Sequence, residues 1–223
     1  KQKKTTSEKR YKAPILTYFP NELTARPEQA QILRELERAW ESYDVFVISV
    51  PTAGGKTAIA QTIAAWQDFA SIIVPSNLLL DQYREAAPHF AHLYKRDFYW
   101  CSDTDQSCES AHRKSLCDRC KTQRACPYRK ALDRASKATT VVANYWTYIA
   151  HGLYKNVLVV DEAHMALETL KGLATKRIWQ REYNWPNNIR NLEDIHNWLG
   201  TLNIGEDKKL NKLAKELKAT RPS

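Results

Sequence analysis

The sequence contains few of the residues that mark fibrous or low-complexity chains. Its 6 glycines and 9 prolines among 223 residues are too few for a collagen-like or disordered composition. No apolar run approaches the roughly 20 residues that a membrane-spanning helix needs. The basic opening Lys1–Lys4 is not followed by the apolar stretch of a secretory signal. With 43% hydrophobic and 26% charged residues, the composition predicts a soluble globular protein without a membrane partner.

Cysteine is absent outside one short segment. All 5 cysteines lie between Cys101 and Cys126. An odd number of clustered cysteines, without a secretory signal, argues against a framework of disulfides. We therefore expect a metal or cluster site in a reducing compartment, either the cytoplasm or the nucleoid or nucleus.

Acidic residues are in the minority. The chain has 34 Lys and Arg against 25 Asp and Glu, a net charge of +9. The surplus is concentrated in residues 1–12, with six basic groups against one acidic, and in residues 95–130, with nine against five. A surplus alone is equally consistent with solubility, but this clustering favours a polyanionic partner, with nucleic acid ahead of an acidic membrane surface. Residues 1–13 are interpreted as a solvated basic arm.

Apolar runs of strand length alternate with stretches of helical periodicity. Strands are expected at Val45–Val50, Ser71–Pro75, Thr139–Ala143 and Asn156–Val160, and helices at Thr24–Tyr43, Lys56–Gln67, Leu78–Ala87 and Leu210–Leu217. This alternation predicts an α/β domain with a parallel sheet. The cysteine segment interrupts it and is interpreted as an insertion, and the pattern after Glu168 is helical.

A loop with the composition of a phosphate-binding site follows the first expected strand. It consists of Pro51, Thr52, Ala53, Gly54, Gly55, Lys56 and Thr57. Backbone N–H groups in such a loop converge on phosphate oxygens, and the following helix N-terminus adds its positive dipole end. Lys56 would reach the β- and γ-phosphates, and the Thr57 hydroxyl would ligate Mg²⁺. Val50 replaces the first glycine of the usual pattern, and the alternative is a simple Gly-Gly turn before an exposed lysine.

Two carboxylates follow the last expected strand. Asp161 at the strand tip would hold Mg²⁺, and Glu162 would orient and deprotonate an attacking water. His164 would couple the nucleotide site to a neighbouring domain. The alternative is a strand-to-helix turn capped by an acidic residue. The phosphate loop earlier in the chain favours the nucleotide-site interpretation.

These motifs resemble those of a known family of motors. Asp161–His164 is a DEAH box, and with Thr52–Thr57 it resembles the superfamily-two helicases. Three further features resemble the XPD/DinG-type iron–sulfur helicases: the entry segment Tyr18–Gln29, the segment Ala143–Tyr145, and cysteines inserted between the phosphate loop and the DEAH box. Gln29 corresponds to the glutamine that reads adenine in that family. The resemblance covers about residues 15–170.

The resemblance implies a fold and an activity. The implied fold is a RecA-like parallel sheet with helices on both faces, interrupted by a cysteine-rich iron–sulfur insertion and followed by the start of a helical arch domain. It assigns 1–94 and 131–164 to the motor domain, 95–130 to the insertion and 165–223 to the helical segment. The implied activity is ATP-driven movement along single-stranded DNA, with ATP, Mg²⁺ and a 4Fe-4S cluster. Because residue 1 is not Met and no arginine-finger segment follows His164, we expect the N-terminal portion of a helicase with a second RecA-like domain in the parent chain.

The cysteine segment offers five thiols for the four ligands of such a cluster. Cys117 and Cys120, which form a C-x2-C pair, and Cys126, which precedes a proline, resemble the later cluster ligands of the family. Cys101 resembles its first cluster ligand. The expected ligands are Cys101, Cys117, Cys120 and Cys126. Cys108 is then spare, or replaces Cys117. Spacing alone supports a four-cysteine zinc site equally well, and the resemblance favours the iron–sulfur cluster.

Candidate nucleic-acid contacts lie in two places. Ser76 and Asn77 resemble the strand-tip motif that touches the DNA backbone, although Ser76 is equally suited to capping a helix. Basic and aromatic residues around the cysteines suit a single strand, whose bases stack and whose phosphates pair with cations, unless they form only a solvated face. A second hypothesis is a cluster-containing nucleic-acid-binding module with a regulatory, non-translocating ATP site. A nucleotide kinase would need an acceptor pocket and a lid, which the sequence does not indicate.

Overall fold

The computed structural model describes residues 13–51, 54–120, 125–174, 194–195 and 197–198. The chain forms two compact units, Lys1–Thr169 and Leu170–Ser223. In the second unit, the described positions are residues 170–174 at the end of a helix and the helical positions 194, 195, 197 and 198. Most of the expected basic arm and the helix expected over Leu210–Leu217 lie outside the described residues.

Three of the described helices match helices expected from the sequence. The helices are α1 (Pro27–Ala39), α2 (Lys56–Gln67), α3 (Asn77–Ala86), α4 (Cys108–Arg113), α5 (Pro127–Lys137), α6 (Tyr145–His151) and α7 (Ala166–Ala174). The matching helices are α1, α2 and α3. Both α1 and α5 begin with proline, whose missing N–H has no intrahelical partner at that position. No helix in the described part of the chain has the length and apolarity required to cross a bilayer.

Four parallel strands form the main sheet, in the order β2-β5-β1-β6. They are β1 (Ala70–Val74), β2 (Ala91–Leu93), β5 (Thr140–Asn144) and β6 (Val157–Val160). A separate antiparallel hairpin within the cysteine segment joins β3 (Trp100–Cys101) to β4 (Gln106–Ser107). Three of the four main strands were expected, and β2 was missed because it has only three residues.

Alternating side chains give the main sheet two buried faces. Ile72 and Val142 pack on one face against α2 and α3. Val141 and Leu93 pack on the opposite face against α5. Strands buried on both faces read as continuous apolar runs, as these do. This parallel α/β arrangement, with helices on both faces, fits the expected RecA-like fold.

The strand expected at Val45–Val50 is not formed, and that prediction was wrong. The segment is irregular, with Val47 94% and Val45 79% exposed. Phe46 is held by Trp40, whose ring stacks on it at 5.3 Å between centroids. A β-branched run becomes a strand only when another strand pairs with it, and among the described residues β6 pairs with β1 alone. The sheet therefore ends at β6, and this segment remains outside it.

The carboxyl ends of the parallel strands meet at one edge of the sheet. There β1 leads to Ser76, which caps α3 by accepting the N–H of Leu79 at 3.3 Å. In the same way β5 ends at Asn144, which caps α6 by accepting the N–H of Thr147 at 2.9 Å. Asp161, which follows β6, continues the sheet pairing by donating its N–H to the Ile73 carbonyl at 3.0 Å. Ligand sites of open α/β sheets lie outside this edge.

Candidate active site and cysteine cavity

The phosphate loop places Lys56 at the first position of α2. Gly55 caps this helix with φ +77°, in the left-handed region where other residues are strained. A Cβ atom at Gly55 would collide with the amide of Gln29, and one at Gly54 would collide with Val50. Both positions therefore require glycine, because the side chains of Gln29 and Val50 lie too close to leave room for a Cβ atom. Thr52 and Ala53, which were expected in the same loop, lie outside the described residues.

Gln29 is a buried residue that contacts this loop. Its Nε2 donates to the carbonyl of Gly54 at 3.1 Å, and its Oε1 accepts the N–H of Arg26 at 2.9 Å. The side chain therefore links the start of α1 to the loop. Both polar atoms of the Gln29 amide are thus hydrogen-bonded to backbone groups of the protein, and its Nε2 is bonded to the phosphate loop.

The two halves of the expected nucleotide site come together. Lys56 Nζ lies 2.6 Å from Glu162 Oε1, across 106 residues of sequence. His164 Nδ1 lies 3.4 Å from the other carboxylate oxygen of Glu162. Glu162 has φ +52°, an uncommon value for a non-glycine residue, and this backbone turn follows directly on Asp161. The structure thus brings together the residues that the sequence placed in one site.

The ion pair changes the proton affinity of both partners. Hydrogen bonding to Glu162 raises the pKa of Lys56, and the nearby Asp161 carboxylate adds to this effect. Hydrogen bonding from Lys56 lowers the pKa of Glu162, and His164 adds to that effect. Glu162 is therefore ionised and engaged, and an attacking water would meet a free base only after Lys56 moves away.

Asp161 is held by two tyrosines that the sequence did not single out for this role. Tyr83 on α3 donates its hydroxyl to Asp161 Oδ2 at 2.9 Å. Tyr145, the first residue of α6, donates its hydroxyl to the backbone carbonyls of Asp161 at 2.5 Å and Glu162 at 3.1 Å. Burial raises the pKa of Tyr145 to about 12 and also raises that of Tyr83, so both hydroxyls remain protonated donors.

A cavity of about 400 Å³ opens beside these residues. Lys56, Asp161, Glu162 and His164 line one part of it, and the exposed segment Val47–Val50 lines another. Ligand pockets in proteins span roughly 300–1,000 Å³. The cavity thus has the size and the mixed polar and apolar walls that a nucleotide requires.

The cysteines surround a second, much smaller cavity of about 20 Å³. It is lined by all 5 cysteines: Cys101, Cys108, Cys117, Cys120 and Cys126. None of them forms a disulfide. The described residues contain no group of three or more Cys, His, Asp or Glu side chains already arranged to hold a metal ion. The structure therefore gathers the thiols around one cavity without placing them in ligating geometry.

The thiols lie in different surroundings. The Thr104 hydroxyl and the Asp103 backbone, which face its sulfur, hold the pKa of Cys101 below its usual value. Burial raises the pKa of Cys117 and of Cys108. Cys108 begins α4 and is 3% exposed, whereas the other four are partly exposed. The cysteine predicted to be spare is therefore the one most deeply packed.

Arg96 lies against residues in the middle and at the end of the cysteine segment. Its guanidinium faces the Cys108 thiol and lies 4.3 Å from the ring centroid of Tyr128 on α5. The Tyr128 hydroxyl in turn makes a short hydrogen bond with His151, the last residue of α6. Helix α6 therefore contacts the cysteine segment at its last residue, His151, and the backbone carbonyls of Asp161 and Glu162 at its first residue, Tyr145.

Comparisons with known proteins gave one match. The sequence model of the family described as "Type III restriction enzyme, res subunit" (ResIII) matches residues 22–192. That range covers well over half of the chain and includes the phosphate loop, the cysteine segment and the DEAH box. No curated protein and no solved structure matched.

Proposed function

Because this chain belongs to the family of the type III restriction enzyme res subunit, which has a superfamily-two helicase fold, we propose that it is the N-terminal motor portion of an ATP-dependent DNA helicase or translocase of the XPD/DinG type. The family membership makes it a helicase-type motor that binds nucleic acid and uses ATP. The finer assignment, to single-stranded DNA and an iron–sulfur domain, rests on the resemblance of its motifs.

The observation that carries the motor assignment is the meeting of Lys56 with Glu162 beside Asp161. Lys56 and Glu162 are separated by 106 residues of sequence and converge on one cavity at the carboxyl edge of the sheet. A structural Gly-Gly turn and a capped strand end would have no reason to meet. Phosphoryl transfer needs such a set, because catalysis depends on positioning and on compensating phosphate charge.

Each residue has a distinct part in ATP hydrolysis. Lys56 leaves Glu162 to bind the phosphates of the incoming nucleotide, and this exchange frees the Glu162 carboxylate. Glu162 then orients the attacking water and accepts its proton. Thr57 and Asp161 would hold Mg²⁺. Their oxygen atoms suit this cation, and the Tyr83 hydroxyl already orients the Asp161 carboxylate. When bound, Mg²⁺ neutralises charge on the phosphates.

Gln29 and His164 would complete the site. Gln29 is proposed to read adenine, which requires its amide to turn from the loop carbonyls to the base. Until then it stabilises the loop that holds the phosphates. His164, 74% exposed at its side chain, is proposed to connect the site to the second RecA-like domain. That domain would supply the arginine whose contribution in related NTPases is about 10³–10⁵ in rate.

The cysteine cavity is proposed to hold an iron–sulfur cluster, with Cys101, Cys117, Cys120 and Cys126 as ligands and residues 95–130 as its domain. Five thiols around one cavity match the donor chemistry, since such clusters take four thiolates. The cavity volume is close to the minimum of about 10–15 Å³ that one water requires. The loops that carry the cysteines must therefore open to admit four irons.

A four-cysteine zinc site is the second candidate, and the size of the cavity favours it. A single ion needs less movement of the loops than a cluster does. Metal analysis of protein purified without oxygen decides between them. Iron and sulfide at roughly four per chain, with a broad visible absorbance, support the cluster. Zinc at one per chain without iron identifies the structural zinc site instead.

Single-stranded DNA is the proposed partner, and residues 165–223 are proposed to begin the arch domain. The basic surplus of residues 95–130 and the exposed rings of Trp100 and Phe98 provide cations for phosphates and surfaces for bases. Ser76 caps α3 in the structure, so a contact with DNA there would use the helix N-terminus as well as the side chain.

The experiment that tests the motor assignment replaces Lys56 by Ala. Lys56→Ala should abolish ATP binding measured by calorimetry, and in the parent protein it should abolish DNA-stimulated hydrolysis. Lys137→Ala, at an exposed lysine of α5 that pairs with Asp133, is the matched control. ATP binding by Lys56→Ala at the wild-type level would contradict the assignment. ATP binding that depends on Lys56, but no movement along DNA in the parent protein, would identify the binding module with a regulatory ATP site.

A further inference from the structure

Tyr83 is the largest fully buried side chain in the described structure, and its polar end faces the nucleotide site. It lies on α3 with 0% exposure, and its ring packs in the core between α2 and the sheet. Its hydroxyl donates to Asp161 Oδ2 at 2.9 Å. The ring is thus fixed by packing on all sides, and the hydroxyl cannot move independently of α3 and the core.

The Asp161 carboxylate is restrained from two directions. Oδ2 accepts from Tyr83, and Oδ1 accepts the backbone N–H of Glu162 at 2.9 Å. A carboxylate has about four lone-pair positions, so these bonds fix its orientation and still leave positions for another partner.

We propose that Tyr83 is a positioning residue for the divalent cation of the nucleotide site, because its rigid hydroxyl orients the Asp161 carboxylate. This inference rests on the proposed function, since it concerns the cation that accompanies ATP. Groups that orient metal ligands in this way typically contribute 10–100-fold to metal affinity. The consequence is a site in which one ligand, Asp161, is arranged before the cation arrives.

A purely structural role is the alternative, because a buried tyrosine needs a partner for its hydroxyl. The chain contains a matched case. Tyr94 is 3% exposed and donates its hydroxyl to Asp81 Oδ1 at 2.6 Å. Asp81 lies on α3 as Tyr83 does, but neither Tyr94 nor Asp81 lines the nucleotide cavity. Replacing either tyrosine by Phe removes one part-buried tyrosine–aspartate hydrogen bond. Only the bond of Tyr83 involves a proposed metal ligand, Asp161.

The test compares Tyr83→Phe with Tyr94→Phe. Binding of a fluorescent ATP analogue is titrated with Mg²⁺, and the unfolding midpoint of each variant is measured in parallel. We expect Tyr83→Phe to raise the Mg²⁺ concentration for half-maximal binding about 10–100-fold, and excess Mg²⁺ to restore binding. Tyr94→Phe should leave this concentration unchanged. An identical Mg²⁺ dependence in Tyr83→Phe and wild type would overturn the inference.

A measurement on the wild type keeps the inference falsifiable should Tyr83→Phe fail to fold. In protein labelled with ¹³C at the Cζ atom of tyrosine, adding Mg²⁺ to the nucleotide-bound protein should shift the Tyr83 signal and not the Tyr94 signal. An unshifted Tyr83 signal would overturn the inference while leaving the proposed function intact. Absence of any nucleotide binding by the wild type would instead overturn the proposed function, and the inference with it.

Discussion

At the scale of single residues, the candidate site holds Lys56, the proposed phosphate-binding cation, in contact with Glu162, the proposed general base. Lys56 and Glu162 pair at 2.6 Å, with side chains 37% and 25% exposed. Solvent screens a pair at this depth, so its contribution to stability is small. Under the proposed function its importance is different, because ATP would have to compete with Glu162 for Lys56.

Replacing Glu162 by Gln should therefore separate binding from chemistry. The amide cannot accept a proton from water, and loss of a general base typically costs about 10²–10⁴ in rate. ATP affinity should be equal to or higher than that of the wild type, since Lys56 no longer leaves a charged partner. The measurements are analogue binding to this chain and DNA-stimulated turnover in the parent protein. Glu168→Gln, at an exposed carboxylate of α7, is the control, and a parallel loss of affinity and turnover in Glu162→Gln would show that Glu162 is structural.

The sequence was sufficient to find the charged residues of the site, but not the neutral groups that hold them. Lys56, Asp161 and Glu162 stand in motifs whose spacing has a chemical reason. Tyr83 lies on the apolar face of an amphipathic helix, where the sequence pattern cannot distinguish a functional tyrosine from one that only packs in the core. Only the three-dimensional packing of α3 against β1 and β5 shows that its hydroxyl reaches Asp161, which follows β6. Tyr145 belongs to the segment Ala143–Tyr145 that resembles the helicase family. That resemblance did not predict its hydrogen bonds to the backbone carbonyls of Asp161 and Glu162.

At the scale of elements, the paired strands of four or five residues were predictable, whereas the unpaired segment and the three-residue strand β2 were not. The apolar runs at β1, β5 and β6 were located to within one residue at each end. Val45–Val50 has the same composition, yet it lies outside the sheet. The composition of a segment indicates whether its side chains favour burial. Whether the segment forms a strand also depends on a neighbouring strand with which it can pair. Helix α6 was missed because it begins directly where β5 ends, without a turn signal between them.

Strand β2 carries a histidine that should make stability depend on pH. His92 is 6% exposed, and its Nε2 has no partner among the described residues. Burial, together with the charges of Arg134 and Arg84, lowers its pKa to about 4 from 6.5. The neutral form is therefore the one the fold favours. This stability is fully present above pH 6.5 and is lost progressively as the pH falls towards 4.

The expected loss attributable to His92 is up to about 3 kcal/mol in the free energy of unfolding. His92→Phe should remove that part of the decline when denaturant unfolding is measured between pH 7 and pH 4. His112→Asn, at an exposed histidine of α4, is the control and should follow the wild type. If His92→Phe declines as steeply as the wild type, other groups cause the acid sensitivity.

At the scale of the whole molecule, β6 is one of the two edge strands of the main sheet in the described part of the chain, and β2 is the other. Strand β6 pairs only with β1 among the described residues, and Leu158 in it is 45% exposed. Beside this edge lies the exposed segment Val45–Val50. Unpaired backbone groups next to apolar side chains form a template on which another strand can add.

We therefore expect the chain to self-associate as its concentration rises. Leu158→Lys should reduce this association, because natural proteins use lysine on edge strands to block pairing. Sedimentation velocity over a wide range of concentrations measures the effect. Leu167→Lys, at an exposed leucine of α7, adds the same charge away from the sheet and should have less effect. Equal suppression by both variants would point to net charge, not strand pairing, as the cause.

The unpaired edge of β6 also has a consequence for folding during synthesis of the chain. Chains emerge from the ribosome at roughly 5–20 residues per second, and N-terminal regions fold first. If the strand that covers β6 is encoded in the second half of the parent protein, every 100 intervening residues leave the edge bare for roughly 5–20 s during synthesis. A nascent motor of this architecture would then depend on chaperones that shield Val157–Val160 until the covering strand has been made.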